Sequence, residues 1–104
     1  MDKAKFKLGT ILMTSAIGQW VRDVGERGEA FIMKSLQRYR ACDWKEMDPF
    51  DKEMNNEAIK TGEDRIFASY KLPENLAKMS PDDKIFIITE WDRSYTTIMF
   101  ASDY

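Results

Sequence analysis

The segment Glu90-Trp91-Asp92-Arg93-Ser94 is the densest group of side chains in this sequence that could do chemistry. Carboxylates two residues apart on a strand point to the same face. Such a pair can raise one pKa and supply a general acid. The simpler use is structural: Asp92 and Arg93 form a turn, Glu90 pairs with an arginine, and Trp91 packs against a helix. A hairpin tip with Trp and Arg also suits a protein contact, since both types are enriched at binding hot spots. Of the functional uses we expect contact, with Trp91, Asp92 and Arg93 as partner-binding residues and no catalytic residue assigned.

Cys42-Asp43-Trp44 is the next candidate. An activated thiol needs a base or a nearby cation. The chain has no histidine, so only Arg40, Lys45 or a helix N-terminus could serve. A structural cysteine in an interhelix turn is the expected role, with Trp44 anchoring that turn. The missing histidine also removes Ser-His-Asp and Cys-His nucleophile activation and most zinc sites. One cysteine without histidine does not build a usual transition-metal site. We expect no metal and no cofactor, with Mg²⁺ on carboxylates the one chemistry left open.

The net charge of −2 says little, but its distribution is uneven. Residues 1–41 hold eight Lys/Arg against four Asp/Glu, and residues 43–64 hold three against eight. Lys34, Arg38 and Arg40 would form a basic helical face able to meet phosphates. Asp51, Glu53 and Glu57 would form an acidic one, a second candidate partner surface. Each face is also what an ordinary solvated helix shows, and the two regions could simply face one another.

The elements that must position these residues follow from pattern. A chain of 104 residues supports one domain, here 1–104, with a modest core. Residues 4–13 alternate as a first strand. Thr14-Ser15 offers N-cap oxygens for a helix with Ile17, Trp20, Val21 and Val24 on one face. Gly25 and Gly28 predict a break before a second helix, about residues 28–41, with the stripe Phe31, Ile32, Leu36 and Tyr39. Asp48-Pro49 starts a third helix that ends near Thr61, with Gly62 just past it. Its inner face is expected to be Phe50, Met54, Ala58 and Ile59.

Strands then follow at 65–72, 84–91 and 94–101, with a helical turn expected at 74–79. Both faces of Lys84-Ile85-Phe86-Ile87-Ile88 are apolar, which predicts a central strand covered on both sides. The fold class is α+β, in the order β-α-α-α-β-β-β. Short connections predict an antiparallel sheet with a C-terminal meander and helices on one face. No apolar run approaches the roughly 20 residues of a membrane span, and no signal-type segment follows the basic start, so we expect a cytoplasmic protein without a membrane partner.

The stretches Cys42-Asp43-Trp44, Asn56-Glu57-Ala58, Gly62 through Ile66, Ser69-Tyr70, Lys84 through Phe100 and Asp103-Tyr104 resemble a family of small bacterial proteins. Its members are usually labelled plasmid-related proteins, and often mislabelled as subunit M of type I restriction enzymes. The resemblance runs from the first strand to the end and is most specific over Thr89–Thr97. It departs at Cys42, where the family tends to have glycine, and in a longer Pro73–Asp83 connector. It carries no catalytic residues, and a methyltransferase subunit would need a far larger nucleotide fold.

The resemblance implies cargo of plasmids and other mobile elements. The expected function is therefore a non-enzymatic protein-interaction protein from such an element. It would inhibit or modulate a host defence system, of anti-CRISPR or anti-restriction type. The partner would be a host protein or protein–nucleic-acid complex. The alternative is an accessory regulator that binds nucleic acid through Lys34, Arg38 and Arg40. A small carboxylate enzyme around Glu90 and Asp92 is the weakest reading. A homodimer through an exposed strand edge is allowed, and nothing in the sequence selects the edge.

Overall fold

Side-chain oxygens fix where two of the helices begin. In the computed structural model, which describes residues 5–104, Thr14 Oγ1 accepts from the Ile17 N–H at the start of α1 (Ser15–Val24). Asp48 Oδ1 likewise accepts from the Asp51 N–H at the start of α3 (Pro49–Thr61). Gly62 ends α3 in the left-handed conformation, at φ 70°. Between these, α2 (Glu26–Arg40) follows α1 after a break at Gly25. The strands are β1 (Thr10–Met13), β2 (Ile66–Lys71), β3 (Lys84–Thr89) and β4 (Tyr95–Phe100). A short α4 (Glu74–Ala77) fills the connector, and a 3-10 turn (Ala101–Asp103) follows β4.

The element order agrees with the sequence, and β2, β3 and β4 form the expected antiparallel meander. The sheet as a whole is mixed, in the order β1-β4-β3-β2, because β1 joins β4 in parallel. Parallel neighbours need a long crossover, and here everything between β1 and β4 provides it. Local pattern carries no record of so distant a pairing. β1 is also shorter than the expected 4–13. Residue 4 lies outside the described residues. Lys5 N–H donates to Arg40 O, and Phe6 packs edge-on against Tyr39 and beside Trp44. Gly9 lets this segment pass the hairpin turn, because a Cβ there would collide with the backbone of Arg93 and Ser94.

One sheet face is the core. Ile66, Ala68, Tyr70, Ile85, Ile87, Ile98 and Phe100 are buried there beneath Ile17 and Trp20 of α1 and Ile32 and Tyr39 of α2. Trp20 meets Phe100 edge to face at 5.7 Å. Truncating one such side chain, as in Ile87→Ala, costs about 2–5 kcal/mol, against a total stability of about 5–15 kcal/mol.

A polar chain crosses this core. Thr96 Oγ1 donates to Leu8 O at 2.6 Å, which uses its single hydrogen. Thr96 therefore accepts from Thr89 Oγ1 at 2.7 Å, and Thr89 in turn accepts from the Tyr39 hydroxyl at 2.7 Å. The Tyr39 hydrogen is shared with Ile66 O at 3.2 Å. Burial pushes the Tyr39 phenol well above its ordinary pKa, so it stays neutral. The chain ties α2, β2, β3, β4 and the N-terminal segment together.

Among the described residues, the opposite sheet face carries no α-helix. Phe67, Phe86 and Tyr104 pack on one another there, with ring centroids 4.7–5.9 Å apart. β3 is therefore covered on both sides, as its apolar run predicts, but on this side by neighbouring side chains.

Candidate functional site

The hairpin tip separates into one structural residue and one free one. Arg93 adopts φ 60° and turns its guanidinium back under the loop. It donates to Ala58 O at 2.9 Å, Asp64 O at 2.6 Å, Trp91 O at 3.0 Å and Glu90 O at 3.2 Å. Ala58 O lies near the C-terminal end of α3, where cations and extra donors are favoured. Arg93 thus clamps the hairpin to α3. Asp92 accepts from the Ser94 N–H and hydroxyl, which holds its carboxyl below the usual range. That is opposite in direction to a general acid. Glu90 and Asp92 lie in the turn rather than on one strand face. Glu90 forms no ion pair with a described residue; only its backbone oxygen meets Arg93. Trp91 is 62% exposed rather than buried against a helix.

Of the basic trio, Arg38 is engaged. It bonds Asp43 at 2.9 Å and Glu46 at 2.6 Å, and its guanidinium stacks 4.9 Å above the Tyr70 ring. Asp43 is held below the usual carboxyl range, chiefly by its hydrogen bond from Arg38. Lys34 is exposed, and Arg40 is half-buried beside Lys5 and Lys7. Cys42 sits at φ 60° with burial pushing its thiol pKa up, and Trp44 is buried. Both fit a structural turn. Among the described residues, no group of three or more His, Cys, Asp or Glu is placed to hold a metal ion.

The third helix departs most from expectation. Its inner face is Asn55 and Ala58, not Phe50 and Met54. α3 leans on the edge of β2 rather than on a sheet face. A strand edge presents unpaired backbone groups, so the residue against it must be polar. Asn55 meets that need: its Oδ1 accepts from Phe67 N at 3.0 Å and its Nδ2 donates to Phe67 O at 2.7 Å. Phe50 and Met54 are thereby turned outward, 72% and 52% exposed.

They border a groove of about 310 Å³ between α3 and the helix-free sheet face. Met47, Asn55, Phe67 and Tyr104 also line it, with Asp51, Asp64 and Arg65 at its rim. Arg65 donates to the Tyr104 hydroxyl at 2.6 Å and lies over the Phe67 and Tyr104 rings. A second hollow continues along the face past Glu46, Asp48, Lys71, Lys84 and Phe86. Helical spacing places Glu57 in line with Phe50 and Met54, and Glu53 beside them. The acidic candidates Asp51, Glu53 and Glu57 therefore flank one apolar stripe.

The spacing of Phe50 and Met54 predicts an apolar face turned to the core. The sequence signal that could have corrected this is Asn55-Asn56, polar residues amid that stripe. Among the described residues, no helix is long and apolar enough to cross a membrane. Comparison of the chain with protein-family models, curated proteins and solved structures finds no match.

Proposed function

We propose that this chain is a non-enzymatic protein-interaction protein whose contact surface is the groove between α3 and the helix-free sheet face. The observation that carries this is the outward placement of Phe50 and Met54 beside Tyr104 and Phe67. Aromatics, Met and Arg around an apolar centre, with charge at the rim, is the composition of a protein contact site. Methionine adds a side chain that adapts to an irregular partner surface. The acidic residues Asp51, Glu53 and Glu57 select a partner with basic groups around an apolar anchor, as nucleic-acid-binding proteins present. The resemblance to mobile-element proteins adds the setting: a cytoplasmic inhibitor or modulator of a host defence complex, of anti-CRISPR or anti-restriction type. The basic-face alternative has less support, since Arg38 is already paired with Asp43 and Glu46.

Affinity capture from bacterial lysate, with wild type beside Phe50→Ser/Met54→Ser, tests the surface. The expected result is one defence-complex component retained by wild type and lost by the double variant, with circular dichroism unchanged. Equal capture by both proteins, or none by either, overturns the proposal. Expression in a host carrying the captured system should raise phage plating efficiency at least tenfold, and unchanged plating overturns the inhibitory role.

A further inference from the structure

We propose that the free edge of β1 pairs antiparallel with the same strand of a second copy, running one continuous sheet through both. The two outer edges of the sheet are treated differently. That of β2 is met by Asn55, whose amide bonds Phe67 on both backbone groups. At β1, Thr10 N–H and Thr14 N–H donate inward, to Ser94 O and Ile98 O. Alternation then turns the N–H and C=O of Ile11 and Met13 outward. β1 is short, but no lysine, proline or bulge falls within Thr10–Met13. Ile11, Leu12 and Met13 are 41%, 44% and 51% exposed.

The edge complements itself. A two-fold axis through Leu12 sets Ile11 of each copy opposite Met13 of the other, so each outward N–H meets an outward C=O. Leu12 faces its own copy in a pair without mutual hydrogen bonds, and Thr10 faces Thr14. No like charges oppose, since Leu8–Ser15 is uncharged. Charge selects the antiparallel sense. Lys5, Lys7 and Arg40 gather beside Ile11 at one end of the strand. Asp103 accepts from the Thr14 hydroxyl at 3.1 Å at the other. Two-fold pairing brings the basic end of one copy alongside the acidic end of the other. A parallel pairing would stack like ends.

The register makes the test specific. Facing residues in such a non-bonded pair lie about 4.5 Å apart at Cα, within disulfide reach of about 4.4–6.8 Å. In a Cys42→Ser background, mild oxidation should convert Leu12→Cys to a covalent dimer. Ile11→Cys alone should remain monomeric, while Ile11→Cys/Met13→Cys together should cross-link. Sedimentation equilibrium of the unmodified chain should show a species of twice 12.2 kDa at high concentration. Met13→Lys should weaken that association at least tenfold. If Met13→Lys fails to fold by circular dichroism, the cross-linking pattern decides. A chain monomeric up to about 1 mM overturns the proposal, taken as the affinity floor of specific pairing. So does Leu12→Cys that cross-links no faster than Ile11→Cys, or an association unmoved by a folded Met13→Lys.

Discussion

Arg93 and Trp91 are two residues apart and do different work. The Arg93 guanidinium serves four backbone oxygens on three segments, while Trp91 projects into solvent. Hydrogen bonds to a charged group are worth about 1.5–3 kcal/mol. Arg93→Ala should therefore destabilise by about 2 kcal/mol, lowering Tm by roughly 8–16 °C in a domain of this size. Trp91→Ala should stay within about 0.5 kcal/mol. Thermal denaturation of both variants checks this, and equal losses would show that the clamp is misassigned. Asp43 has a depressed carboxyl pKa in the folded chain, so its contribution is complete above the unfolded value of about 3.9. That contribution is lost as pH falls through the lower folded value. Asp43→Asn should thus be less stable near pH 7 and lose less on acidification below pH 4 than wild type, as urea midpoints at both pH values would show. At Cys42, φ 60° disfavours a branched side chain, so Cys42→Val should cost about 1–2 kcal/mol. A left-handed position is one that glycine fills readily.

At the scale of elements, α3 shows where pattern is sufficient and where it is not. Asp48, Pro49 and Gly62 are local signals acting on local backbone, and the helix begins and ends at them. Which face turns inward depends on what the helix meets, and α3 meets an edge. The apolar run of β3 predicts its central place, and its neighbours follow from short loops. The join of β1 to β4 was not legible, because nothing in Thr10–Met13 names a partner more than eighty residues away. Asn55→Ala should leave the Phe67 N–H and C=O without partners, at a cost of about 1–3 kcal/mol. Hydrogen exchange at the Phe67 amide should quicken in that variant beyond what its global destabilisation explains. An unchanged local rate would remove α3 from its role as guard of the β2 edge.

The whole molecule has a helix-covered face that holds it together and a bare face flanked by α3. Its sequence announced the first through buried periodicity. It concealed the second, because Phe50 and Met54 have the spacing of core residues, yet α3 docks through Asn55 and Ala58 and leaves them pointing outward. The groove proposed as the contact surface is thus a consequence of how α3 sits. Oxidative footprinting of the captured complex tests this most directly, because methionine oxidation follows exposure. Met54 lies in the groove, while Met33 and Met79 are equally open elsewhere on the surface. Partner binding should slow oxidation of Met54 and Phe50 several-fold and leave Met33, Met79 and Trp91 unchanged. Protection of Trp91 with Met54 still oxidised at its free rate would contradict the account and move the contact to the hairpin tip.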